Sequence, residues 1–267
     1  MRDDINTRET RVKFIRITNQ DRLPQSPSPS NFTVDISNDS DVHQATEMYL
    51  HSITIPNVFY NIDTHNNRLS FGARSLGGVT NVQPTITIAP GFYSTAQIMV
   101  ALKTAMDIAM VPVAGTIDFT QDPITNLISF QTTNLDGVGF YATLASSTLA
   151  PFIGLNNNIP AYTPAGTFDS MPSLQGETMF YLHSKDISAS GTQLSNGLSV
   201  SSFASIPVNV PYLSIQQYQP NEMETNKIIF NTQKDLSTLT IKLRSQDGRI
   251  LELGANQEII IVFKIYY

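Results

Sequence analysis

The chain has 267 residues, a formal charge of −6 from 16 Lys and Arg against 22 Asp and Glu, and only 14% charged residues. An ordinary soluble chain carries roughly 25%, so much of this surface is uncharged and polar, and a general nucleic-acid binder, which needs a basic face for phosphate, is excluded. The absence of cysteine excludes disulfides, thiolate metal sites and a cysteine nucleophile.

Residues 1–10 are polar and carry both signs of charge (Arg2, Asp3, Asp4, Arg8), which predicts an arm without core contacts of its own. No apolar run of signal-peptide length follows, and nowhere do about 18 apolar residues occur together. The expectation is a chain that is neither exported by the usual route nor inserted in a membrane. In "RVKFIRI", Val12 and Phe14 alternate with Arg11 and Lys13, the period-2 pattern of a strand with one face in a core. Ile15 and Ile17 then take the opposite phase, which predicts either a bulge near Phe14 and Ile15 or a strand end covered on both sides. "DRLPQSPSPSN" is a loop, and "FTVDIS" is a cleaner strand with Phe32, Val34 and Ile36 inward.

"ATEMYLHSITIPN" changes phase between Leu50 and Ile53, so an extra residue at His51 or Ser52 is predicted to restore one inward face. Strands follow at "RLSFGA" and "PTITIA". In "IAPGFYSTAQIMVALKTAM", Ser94 and Gln97 stand at capping-box spacing. Ile98, Ala101, Leu102, Ala105 and Met106 form one apolar stripe of the helix that follows. "GTIDFT" and "NLISFQT" read as a hairpin through "QDPIT". "SSTLAPFIG" reads as a short helical turn capped by Ser146 or Ser147 and stopped by Gly154.

Residues 155–175 and "SASGTQLSNGLSVSS" read as loops, "MFYLHS" as a strand, and "IPVNVPYLSIQQYQP" as one or two edge strands, because proline is tolerated at sheet edges. "STLTIKLR", a turn on Asp247 and Gly248, a returning "ILEL", and "EIIIVFKIYY" complete the chain. The last is apolar on both faces, which predicts burial between layers or under a neighbouring subunit. Many short strands and one or two helices make the class all-β, a sandwich.

Catalytic motifs are missing. There is no G-x-S-x-G elbow, H-E-x-x-H, P-loop or Rossmann fingerprint, and "GGVTNV" and "DGVGFY" read as glycine turns. "NDSDVH" puts Asp39, Asp41 and His43 at alternate positions but lacks the remaining ligands and the glycine of a calcium loop. Its ordinary reading is a solvated turn. Glu222 and Glu224 could face one side of an extended segment as glycosidase carboxylates do; their ordinary reading is a polar loop. No cofactor is expected. The aromatics fall in adjacent pairs (Phe59 with Tyr60, Phe92 with Tyr93, Phe140 with Tyr141, Phe180 with Tyr181, Tyr266 with Tyr267), a pattern that fits either core plus rim or a subunit interface.

Three stretches, "MYLHSITIPNVFYNI", "ITIAPGFYSTAQIMVAL" and "LAPFIGL", occur in an order that resembles the penton and related minor capsid proteins of double-stranded DNA viruses with jelly-roll capsids, of the virophage, polinton-like or giant-virus type. The resemblance spans Met48 to Leu155. It implies a single jelly-roll β-sandwich, residues 11–267, with one or two short helices in an insertion or connection. The insertion, strand, helix and hairpin, is placed around 66–176, and residues 1–10 form the arm.

It further implies a non-enzymatic vertex capsomer of an icosahedral virion, a homopentamer, made in the host cytoplasm or viral factory. Its partners would be its own copies, the major capsid protein and other minor capsid proteins, with no specific nucleic acid. Interface residues are then sought in the arm (Arg2, Asp3, Asp4, Arg8) and at Tyr266 and Tyr267. The alternatives are a trimeric minor capsid, cement, fibre or spike protein, and a carbohydrate-binding β-sandwich, against which the absence of Trp counts.

Overall fold

A strand that faces a core on one side alternates apolar and polar residues, and the clearest such runs in this chain build one sandwich. The computed structural model describes residues 11–37, 43–186, 191–193, 199–221, 228–253 and 256–267. Two units share the chain: Met1–Phe59 with Glu177–Tyr267, and Tyr60–Gly176. The first unit begins with β1 (Val12–Thr18), β2 (Asn31–Asp35) and β3 (His43–Pro56). The second holds β4 (Arg68–Ser75), β5 (Asn81–Val82), β6 (Thr85–Thr87), helix α1 (Thr95–Ala109), β7 (Thr116–Gln121), β8 (Ile128–Thr133), β9 (Leu135–Phe140), β10 (Ile159–Thr163) and β11 (Ala165–Thr167). The first resumes with β12 (Met179–His183), β13 (Gly191–Gln193), β14 (Ser199–Ser201), β15 (Ala204–Pro207), β16 (Ile215–Tyr218), β17 (Ile228–Asp235), β18 (Thr238–Arg244) and β19 (Ile260–Tyr266).

In the first unit one sheet runs β1-β19-β3-β16, with β17 also on β3, and the other runs β15-β12-β18-β2. β16 pairs with Ile53–Pro56 and β17 with the His43–Met48 end of the same strand, so together they form one interrupted column. Numbered along the unit without the small β13–β14 ribbon, the strands run 1-8-3-6 in one sheet and 2-7-4-5 in the other, which is jelly-roll order. The fold is all-β, a single jelly roll. Ile15, Leu50, Ile53, Ile261 and Phe263 from one sheet meet Phe32, Phe180, Leu182, Leu239 and Ile241 from the other in one buried cluster. Each such side chain contributes about 1.5–3 kcal/mol of burial.

The phase change in β3 is a bulge, as its sequence predicts. Val262 pairs with Ser52 and Phe263 with Leu50, leaving His51 as the extra residue. The phase change in β1 has a different cause. Its ladder to β19 is regular from Val12 to Thr18, with no bulge. Ile15 and Ile17 are buried, whereas Val12 and Phe14, expected inward, are exposed. β19 lies between β1 and β3, with Ile261, Phe263 and Ile265 buried and Ile260, Val262, Lys264 and Tyr266 half-buried on its other face. β15 and β16 are edge strands, and β15 ends in Pro207, which an edge tolerates. The turn at Asp247 and Gly248 forms, but "ILEL" returns only through a single bridge at Ile250.

In the second unit the sheets run β10-β9-β4-β5, with β6 on β4, and β11-β8-β7. The capping box at Ser94 and Gln97 is complete. Ile98, Leu102 and Met106 of α1 are buried against the unit's core, and Lys103 ties the helix to β7 through Asp118 at 2.9 Å and the Ile117 carbonyl at 2.9 Å. The β7–β8 hairpin turns on Asp122, whose Oδ1 accepts from the amides of Ile124 and Thr125. Those hydrogen bonds, that to the Thr125 amide first, hold the Asp122 carboxyl below its usual range.

Three readings are corrected here. Residues 155–175 are not simply an exposed loop: β10 and β11 lie within them, and Phe168 is buried. "DGVGFY" is strand β9, not a turn. Gly137 sits there at φ +151°, where a Cβ would meet the Tyr162 backbone at 2.3 Å, so the glycine serves close strand approach. The turn at Ala150–Ile153 stops at Gly154 as predicted, but Leu149 occupies its cap without a side-chain bond. Ser147 instead accepts from the Ser70 amide at 3.0 Å, and Ser146 bonds the Ser70 hydroxyl at 2.6 Å.

Candidate assembly face

The outward face of the β1-β19-β3 sheet is the most distinctive surface of the jelly roll. Period-2 alternation fixes its members. While Ile261, Phe263 and Ile265 point into the core, Val262, Lys264 and Tyr266 point out, and the His51 bulge keeps Tyr49 on that same side as Leu50 turns inward. β1 adds Val12 and Phe14, which are 43% and 53% exposed. Ile215 on β16 and Ile229 on β17 are exposed as well.

Aromatic rings organise this face. Phe14 meets His51 edge-on with centroids 4.9 Å apart, and Tyr49 meets Tyr266 edge-on at 5.3 Å. The Lys264 ammonium stands 5.3 Å from the Tyr266 ring and 5.9 Å from the Tyr49 ring, where the ring quadrupoles favour a cation. Beside them is a cleft of about 160 Å³ lined by Tyr49, Leu50, His51, Gln219, Pro220, Lys264 and Tyr266. The strand end is fixed: Thr46 donates to the Tyr266 carbonyl at 3.0 Å, and Arg11 and Tyr267 exchange two backbone hydrogen bonds of 3.1 Å. Aromatic rings are enriched at subunit interfaces, and this face gathers several of them with aliphatic side chains on one sheet, beside the cations Lys264 and Arg16.

Of the interface residues expected from sequence, Tyr266 lies at the centre of this face and Tyr267 beside it at the end of the ladder. Arg2, Asp3, Asp4 and Arg8 lie outside the described residues, as do Asp39, Asp41, Glu222 and Glu224. Among the described residues no three His, Cys, Asp or Glu side chains gather as metal ligands, and no helix is long and apolar enough to cross a membrane. His65 pairs with Asp63 at 3.5 Å in a turn of the second unit, and His183 sits on β12 of the first. Sequence reasoning missed Val12, Phe14 and Tyr49. The one signal that marks them is the phase slip in each strand.

No protein-family profile matches the chain, and no curated protein matches it in sequence. Its three-dimensional structure does find a counterpart. The crystal structure of the selenomethionine-labelled mavirus penton protein aligns over 96% of this chain and 99% of its own, with a TM-score of 0.54 and 10% identity. The chain has the fold of a penton protein. At that identity the likeness is one of fold.

Proposed function

We propose that the chain is a viral structural protein, the penton capsomer that closes the vertices of an icosahedral capsid as a homopentamer. The observation that carries this reading is the fold likeness to the mavirus penton protein over nearly the whole of both chains. In this reading the jelly roll is the capsomer body, residues 60–176 are an insertion between its third and fourth strands, and residues 1–10 are an arm that reaches neighbouring major and minor capsid proteins. Its place is the virion. The work done is mechanical, burial of apolar and uncharged polar surface repeated by symmetry, and the aromatic outer face with Tyr49, Lys264 and Tyr266 is one of the surfaces offered for it.

A standard stable contact buries roughly 800 Å² on each partner. Native mass spectrometry with negative-stain class averages of the purified chain tests the proposal. Five-membered rings support it. A protein that stays monomeric at high concentration, or forms trimers, overturns it and brings the minor capsid or spike reading forward.

A further inference from the structure

The jelly roll has four lateral edges, and three are closed in ways that natural sheets use against unwanted pairing. The outer side of β2 is occupied by its own loop: Leu23 donates to the Thr33 carbonyl at 2.8 Å, and Ser28 and Asn31 exchange two bonds of 3.1 Å. β15 is short and ends in Pro207. Val208 donates to the Thr178 carbonyl, so the alternation turns residue 207 outward, where proline offers no N–H. The β16 and β17 column is interrupted, and β17 carries register shifts against β3.

β1 is the exception. It is a regular seven-residue strand without proline or bulge, and among the described residues β19 is its one neighbour in the sheet. Arg11 exchanges both backbone bonds with Tyr267, and the Asn19 amide donates to Ile259 at 3.3 Å. Hence the odd-numbered residues face β19, and the N–H and C=O groups of Val12, Phe14 and Arg16 point away from it. Among the described residues nothing pairs with those amides. These same three residues carry exposed side chains on the outer face.

Charge selects what can dock there. The stretch from Arg11 to Gln20 carries Arg11, Lys13 and Arg16 and no acid. The ion pair of Arg16 with Glu258 is long, 3.7 Å, with both side chains at least half exposed, the kind that contributes little. Pairing β1 with β1 of a second copy would double those cations on one ladder, which is repulsive. An acidic strand would meet Arg11 and Arg16 with opposite charge. We propose that the β1 edge takes up an extended acidic segment of another protein as an added strand. Backbone bonds at Val12, Phe14 and Arg16 would hold it, and Arg11 and Arg16 near the two ends of the strand would select its charge. This goes beyond the penton reading and is argued from the strand edge of the single chain alone.

The probe is a fluorescent, end-blocked heptapeptide of alternating glutamate and valine, titrated against the full chain by anisotropy at low and at 0.5 M salt. The expected result is saturable binding that weakens with salt, with slowed hydrogen exchange at the amides of Val12, Phe14 and Arg16. Phe14→Pro removes an outward N–H and no ladder bond, so a folded variant should bind about tenfold more weakly. Arg16→Glu, at an exposed side chain, should do the same and carries the test if the proline variant does not fold. Equal binding by a lysine-valine peptide, or by a glutamate-valine peptide N-methylated at alternate amides, would overturn the proposal. So would no binding at all, or strong protection of those three amides in the free chain.

Discussion

Asn19 is the residue on which the candidate face hangs, and removing its side chain should be costly. It is fully buried. Its Nδ2 donates to the Gln257 carbonyl at 2.7 Å, and its Oδ1 accepts from the Ile259 amide at 2.9 Å. The side chain thus adds a rung to the β1–β19 ladder where the strand itself has ended. Asn19→Ala strands the buried Ile259 amide, at a cost of about 1–3 kcal/mol, whereas the half-buried Gln257 carbonyl can find water and adds about 1 kcal/mol at most. The expected loss is therefore about 1–4 kcal/mol. With ten tyrosines and no tryptophan, urea unfolding is best followed by tyrosine fluorescence alongside far-UV circular dichroism, reading the transition that belongs to the jelly-roll unit.

Asn19→Asp sharpens the test because it keeps the shape and changes the chemistry. A neutral carboxylic acid can accept from Ile259 and donate to Gln257. An ionised one meets the Gln257 carbonyl with an oxygen and loses hydration, so the folded-state pKa is expected above the unfolded value of about 3.9. Between those two values the folded chain holds more protons than the unfolded one, and stability falls as pH rises through that window. The variant should stand close to the unsubstituted chain near pH 4 and as low as Asn19→Ala at pH 7. A deficit below about 1 kcal/mol for the alanine variant, or an aspartate deficit equal at both pH values, would refute the reasoning.

Two further expectations concern the second unit. Gly154 sits at φ +85°, and a Cβ there would fall 1.9 Å from the Ser170 carbonyl oxygen, whereas Gly77 at φ +82° has open space around it. Gly154→Ala should cost about 2–5 kcal/mol from left-handed strain plus overpacking, and Gly77→Ala only the ~1–2 kcal/mol of strain; equal losses in thermal melts would disprove the contact. The Lys103 pKa is raised, chiefly by its hydrogen bond to Asp118, with Asp107 adding and burial opposing. A cation whose folded pKa is raised stabilises fully below its unfolded value and loses that contribution as pH climbs through the folded one. Stability should therefore drop above pH 10.5 in the unsubstituted chain, and a drop of the same size in Lys103→Met would disprove the assignment.

Much of the fold is legible in local pattern. The bulge at His51, the capping box at Ser94, the turn at Asp122 and the stop at Gly154 each follow from one or two residues whose backbone demands are specific. What stays hidden depends on distant partners. Nothing near Gly137 shows that Tyr162 will cross it at van der Waals distance, so a glycine that permits strand contact looks like one that permits a turn. β10 and β11 are equally hidden in a stretch rich in Asn, Pro and Gly, because their pairing with β9 and β8 supplies the order that local propensity lacks.

The candidate face was hardest to read because period-2 analysis asks only which phase is apolar, and in β1 both are. Val12 and Phe14 share one phase, Ile15 and Ile17 the other. A bulge would put all four in the core, but the ladder to β19 runs without one, so two of the four must face out. The energetics favour the outcome found. Ile15 and Ile17 interlock with the opposite sheet, while Phe14 keeps part of its contact area through His51 on its own sheet. An exposed aromatic on a regular, cation-bearing edge is an arrangement that folding alone does not require. Lysine in place of Phe14 would leave the jelly roll its core and remove the exposed ring, which makes β1 the strand at which folding and the proposed assembly can be separated by substitution.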